Sequence, residues 1–133
     1  MFNTPLAFVD REAGDVVVYG TPGYPVYERG ALFAGARIHP VVLEGDFVLR
    51  AGDVPDNVWQ QAKLLWTCTP HNPTGRVFCD REIAALIEVL VAHDLVLITD
   101  EIYDRILYDG RQHVYPGSLE AIKERIWDPL RRR

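Results

Sequence analysis

The run Asp15–Gly20 (DVVVYG) is β-branched, apolar and closed by glycine, so it predicts a buried strand. Pro22, Gly23 and Pro25 punctuate a turn after it. From Tyr27 to Ala34 the apolar residues Tyr27, Ala31 and Ala34 share one helical face, and Gly35 supplies a stop. Arg37–Leu43 reads as a second strand, with Pro40 marking an edge position or a bend. Phe47–Leu49 reads as a short extended piece, and Pro55–Gln61 as a helix capped by Asp53. Lys63–Thr69 (KLLWTCT) is the third strand, and Pro70–Gly75 is a turn by composition. Asp80 then caps the clearest helix, in which Ile83, Leu86, Ile87 and Leu90 fall at i, i+3, i+4 and i+7. Val96–Thr99 is the fourth strand and runs into Asp100. Ile102–Tyr108 begins as helix, Asp109–Gly110 turns, and Leu119–Trp127 is a last helix.

Strands that alternate with helices pair in parallel through right-handed crossovers. The expected fold is therefore α/β, a partial three-layer α/β/α sandwich around a mostly parallel sheet. Ligands of such sheets bind beyond the carboxyl ends of the strands. Three stretches sit there: Gly20–Tyr24, Pro70–Gly75 and Asp100–Tyr103.

Composition narrows the classes. The chain has 133 residues, room for one domain, and its 48% hydrophobic and 25% charged content is that of an ordinary globular protein. A net charge of −5 argues against a nucleic-acid partner, and the terminal Arg131–Arg133 reads as a solvated tail. Cys68 and Cys79 are too few for a disulfide scaffold and point to a reducing compartment. The first ten residues lack the pattern of a signal peptide, and no apolar run reaches the ~20 residues of a membrane helix. The expectation is a cytoplasmic protein with no membrane partner.

Taken singly, Asp100 reads as a helix cap, Asn72 as a turn residue and Tyr103 as a core aromatic. Taken together they place a carboxylate, an amide and a phenol at neighbouring strand ends. Asn72-Pro73-Thr74-Gly75 followed by Asp100-Glu101-Ile102-Tyr103 resembles the signature of fold-type-I enzymes that use pyridoxal phosphate, the class I/II aminotransferases. The segment Gly20–Ala36 resembles that family's Pro-x-Tyr-Pro-x-Tyr stretch, and Gly14–Val17 the opening of its strand. Within the family, diaminopimelate-type aminotransferases of lysine biosynthesis look most similar.

The resemblance implies roles. Asp100 would pair with the pyridinium nitrogen of pyridoxal 5′-phosphate, because a nearby carboxylate keeps that nitrogen protonated and the ring an electron sink. Asn72 and Tyr103 would hydrogen-bond the ring 3′-oxygen. Tyr24 would stack on the ring, and Pro73 and Gly75 would shape the turn that presents Asn72 through a cis Asn72–Pro73 bond. The substrates would be an amino acid and a 2-oxo acid, and the family's full-length members are homodimers.

The family's Schiff-base lysine follows the Asp-x-x-Tyr motif at about the distance where this chain ends. The lysines here are Lys63, which opens a strand at the wrong sheet end, and Lys123, in the solvated segment EAIKER. Residues 1–133 therefore read as an incomplete large domain with no second domain, inactive in isolation, with a sheet edge left open. The competing reading is a non-catalytic remnant or interaction module. A dinucleotide domain lacks its G-x-G-x-x-G here. A metal site built from Cys68, His71, Cys79 and His93 has no recognised ligand spacing, and the metal expectation is none.

Overall fold

The computed structural model describes residues 15–127. Among these residues one sheet of parallel strands runs in the order β2-β1-β3-β4-β5. The strands are β1 (Val16–Thr21), β2 (Arg37–Val42), β3 (Ala62–Cys68), β4 (Val96–Asp100) and the short β5 (Ile126–Trp127). Helix α1 (Val26–Phe33) links β1 to β2, α2 (Asp56–Trp59) precedes β3, and α3 (Asp80–Ala92) links β3 to β4.

Side-chain alternation sorts the core into two layers. Val17, Tyr19, Leu64, Trp66, Cys68 and Ile98 pack with Tyr27 and Ala31 of α1 on one face. Val16, Val18, Leu65 and Leu97 pack with Trp59 of α2 and with Leu86 and Leu90 of α3 on the other. Helices on both faces of a parallel sheet make the expected α/β/α sandwich. Pro40 lies in edge strand β2, where its missing N–H breaks no inner ladder.

Several local expectations are corrected. Phe47–Leu49 is not extended as a unit, since Phe47 closes a turn at φ 57°. Asp53 does not cap α2. It ends a 3₁₀ turn (Ala51–Asp53), where its carboxylate accepts the Arg50 backbone N–H at 2.8 Å. The cap of α3 is Cys79, one residue before Asp80, with its N–H donating to Glu82 at 2.8 Å. Ile102–Tyr108 makes one turn and no helix. Leu119–Trp127 splits into a 3₁₀ turn (Glu120–Ile122) and β5, because Ile126 and Trp127 find ladder partners in Leu97 and Ile98. Met1–Gly14 and Arg131–Arg133, hence Gly14 and the basic tail, lie outside the described residues. No helix among the described residues is long and apolar enough to cross a membrane.

Candidate functional site

The strand order reverses between β1 and β3. The chain leaves β1 toward β2 on one side and later leaves β3 toward β4 on the other. At such a switch point the loops beyond the strand ends part and leave a crevice. Thr21–Pro25 and Thr69–Gly75 flank it, and β4 brings Asp100 alongside, because Cys68 pairs with Asp100 in register. Asn72 and Asp100 thus share one end of the sheet. The Asn72 backbone lies against the Cys68 thiol, which also neighbours Asp100.

Asp100 shares the parity of Ile98, so its carboxylate faces α1. There the Tyr27 hydroxyl donates to Oδ2 at 2.9 Å, and the Ile102 N–H approaches Oδ1 at 3.3 Å. Tyr27 is buried and stacks on Trp66 with centroids 4.7 Å apart. Burial first, then the neighbouring Cys68 and Asp100, pushes the Tyr27 phenol far above its ordinary range, so it stays a donor. Burial likewise pushes the Cys68 thiol up. Tyr24 stands edge-on to Tyr27 at 6.0 Å and is 47% exposed, an open aromatic at the rim of the crevice. Tyr103 is half-buried in the turn after Asp100. A small cavity below the crevice is lined by Gly20, Tyr27, Trp66, Cys68 and His71.

Two glycines are fixed by geometry. Gly75 closes the Asn72 turn at φ 73°, a left-handed conformation that favours glycine. A Cβ on Gly23 would stand 2.6 Å from the Gly20 carbonyl oxygen. The Asn72–Pro73 bond is cis as expected, and so are Thr21–Pro22 and Thr69–Pro70.

His71 and Tyr27 carry more of the site than the sequence suggested. His71 is buried between the two loops, with Nε2 3.0 Å from the Pro22 carbonyl and Nδ1 2.8 Å from Thr74 Oγ1. A carbonyl only accepts, so Nε2 carries the proton and Nδ1 accepts from Thr74. The neutral ring is fully satisfied and staples the β1 loop to the Asn72 turn. Burial lowers its pKa from the usual 6.5, against a smaller upward push from the Pro22 carbonyl. Unfolded, His71 takes up a proton near 6.5; folded, it resists to lower pH. Its stabilising contribution is full above about pH 6.5 and is lost as pH falls toward the folded value. Urea unfolding at several pH values should therefore show wild type losing its advantage over His71→Asn as the solution is acidified. An advantage that grows on acidification would contradict this assignment.

The lysines stay away from the crevice. Lys63 lies at the start of β3, the opposite end of the sheet from Asp100. Lys123 is exposed and pairs with Glu120 at 3.5 Å, beside the Arg125 carbonyl that accepts the N–H of Leu97 near the start of β4.

The crevice thus has the Asp100 carboxylate at the end of β4, the Asn72 turn beside it at the end of β3, and the half-exposed Tyr24 ring after β1. The model of the family "Aminotransferase class I and II" matches residues 4–127. LL-diaminopimelate aminotransferase 2 of Trichormus variabilis is 37% identical over 81% of this chain and 28% of its own length. Arginine–pyruvate transaminase of Pseudomonas aeruginosa is 36% identical over 84% of this chain and 29% of its own. A probable N-succinyldiaminopimelate aminotransferase from Thermus thermophilus superposes with a TM-score of 0.87 at 30% identity, covering 96% of this chain and 34% of that one. The chain thus spans less than a third of the length of these two curated relatives.

Proposed function

The chain belongs to the aminotransferase class I and II family, and on that premise we propose that it supplies the ring-binding part of a pyridoxal-phosphate-dependent transaminase. The observation that carries this reading is Asp100. It is a half-buried carboxylate at the carboxyl end of β4, oriented by Tyr27 and level with the Asn72 turn. Bound there, the cofactor would supply an electron sink for the substrate α-carbon. Asp100 would accept the ring N–H and hold that proton in place. Asn72 and Tyr103 would donate to the 3′-oxygen, and Tyr24 would cover one ring face. His71 would keep the two loops at their spacing. The reading extends to an amino acid and a 2-oxo acid as substrates, to a homodimer, and to a cytoplasmic role in amino-acid biosynthesis of the diaminopimelate type, on the likeness to the relatives that carry that name.

The test uses this chain extended at both ends by the matching segments of a full-length relative. It should bind pyridoxal phosphate stoichiometrically, with a visible absorption band, and exchange amino groups between an amino acid and 2-oxoglutarate. Lys63→Ala and Lys123→Ala should each leave that rate within about twofold of wild type, since neither side chain faces the crevice and exposed charges contribute little. No stoichiometric binding would overturn the proposal, and a rate abolished by Lys123→Ala would overturn the placement of the lysines. A second reading, a non-catalytic remnant or interaction module derived from an aminotransferase, predicts no borohydride-reducible pyridoxal phosphate adduct.

A further inference from the structure

The segment from Glu101 to Tyr115 contains neither helix nor strand, yet it carries Tyr103. Apolar burial does little to hold it, since Ile102, Ile106 and Tyr108 are 57%, 54% and 74% exposed. Two polar contacts close it instead. Glu101 Oε2 and His113 Nε2 meet at 2.7 Å, each side chain only 3% exposed. The Tyr115 hydroxyl donates to Asp104 Oδ2 at 3.0 Å, and the Tyr115 ring stands edge-on to His113 at 4.4 Å. Backbone bonds lock the interval between the clasps: the Asp104 N–H donates to Glu101 O at 3.0 Å, and the Ile106 N–H to Tyr103 O at 2.8 Å. Tyr103 lies between the two clasped residues Glu101 and Asp104.

We infer that the buried Glu101–His113 pair, backed by Asp104–Tyr115, is a clasp whose members are positioning residues for Tyr103. The inference rests on the proposed role of Tyr103 toward the cofactor's 3′-oxygen. Strand parity keeps it apart from Asp100. Asp100 points toward α1, while Glu101 points to the opposite face, where His113 lines a hollow with Asp80, Ala84 and Ile87 of α3. An ionised carboxylate only accepts, so His113 Nε2 carries the proton. Among the described residues His113 Nδ1 is buried with no hydrogen-bond partner, and Glu101 is the one polar anchor they give the ring. A ring held by one bond loses its anchor when that bond goes, and the loop that starts at Glu101 is then free to open locally.

The experiment compares Glu101→Gln, Glu101→Ala, His113→Phe and Tyr103→Phe by two readouts, in this chain extended at both ends by the matching segments of a full-length relative. The first is amide hydrogen exchange over residues 102–112 without cofactor. The second is the pH midpoint of the visible band of bound pyridoxal phosphate. His113→Phe and Glu101→Ala should speed exchange in that segment by about tenfold or more, a local opening on the scale of loop equilibria. Both should move the midpoint to higher pH, the direction expected of Tyr103→Phe, which removes a donor from the 3′-oxygen. In a Tyr103→Phe background they should move it no further, because they act through that phenol. Glu101→Gln, whose amide oxygen accepts the same N–H, should stay close to wild type. Unchanged exchange in His113→Phe overturns the clasp. A midpoint shift as large in the Tyr103→Phe background as in wild type overturns its action through Tyr103. An unmoved midpoint in Tyr103→Phe itself overturns the reading of Tyr103. Should His113→Phe fail to fold, Tyr115→Phe removes only a hydroxyl, and the same signs at smaller size are required of it.

Discussion

Asp100→Ala is expected to lower amino-group transfer by about two to three orders of magnitude, the usual cost of removing one preorganised electrostatic partner from a reacting centre. The loss would come from charge. A carboxylate beside a ring nitrogen keeps that nitrogen protonated, and only the protonated ring withdraws electrons strongly. The fold should survive, because the backbone ladder from Cys68 to Asp100 needs no side chain. The structural penalty is the Tyr27 hydroxyl left without its 2.9 Å acceptor, about 1–3 kcal/mol for a buried donor. Asp100→Asn separates the two effects. Its amide oxygen can still accept from Tyr27, but it carries no charge, so its rate should fall nearly as far as that of alanine. Tyr27→Phe makes the reverse cut: the charge stays, one charge-assisted hydrogen bond is lost, and the fall should be about 10- to 100-fold. Single-turnover rates with saturating cofactor check the series. Asp100→Asn working at the wild-type rate would remove charge from the account.

How much of this was legible before the structure depends on how far each contact reaches along the chain. Period and punctuation are local, so DVVVYG, KLLWTCT and the Ile83–Leu86–Ile87–Leu90 stripe predicted β1, β3 and α3 to within two residues. Parallel order at one sheet end followed from the alternation, and with it the meeting of Asn72 and Asp100 near Cys68. What failed was decided at long range. Leu119, Ile122 and Ile126 are spaced like a helix face, yet Ile126 becomes a strand residue because β4 offers it a free edge. Tyr27 looked like a core aromatic of α1 and is one, but its hydroxyl finds Asp100 seventy-three residues away. His71 looked like a turn residue, and only the fold brings Pro22 to its Nε2. Glu101 and His113 gave no separate signal, because a buried charge announces itself only through its partner. Caps slipped by one residue, as at Cys79, where a thiol stands in the position usually taken by Ser, Thr or Asp.

The sheet that presents these groups is itself testable at Leu65. Leu65 is fully buried in the central strand β3, on the α3 face with Val18, Leu90 and Leu97. Truncation to alanine removes the transfer energy of the lost methyl groups and leaves a cavity, and neighbours held by parallel ladders on both sides of β3 have little freedom to collapse into it. The expected loss is about 2–5 kcal/mol, a large share of the roughly 5–15 kcal/mol that holds a typical domain folded. Leu32→Ala is the matched control, because Leu32 of α1 is 51% exposed and buries too little to form a cavity. Its effect should stay within about 0.5 kcal/mol. Denaturant unfolding of both variants reads the difference, with an unchanged slope indicating that the native state and not the unfolded ensemble was altered. Leu65 stands three residues before Cys68, on the strand whose end carries the Asn72 turn, so a loosened β3 is expected to loosen the cofactor binding proposed for that turn. Leu65→Ala should therefore weaken pyridoxal phosphate binding where Leu32→Ala does not. Equal stabilities for the two variants would mean that β3 is not the packed spine of the sheet.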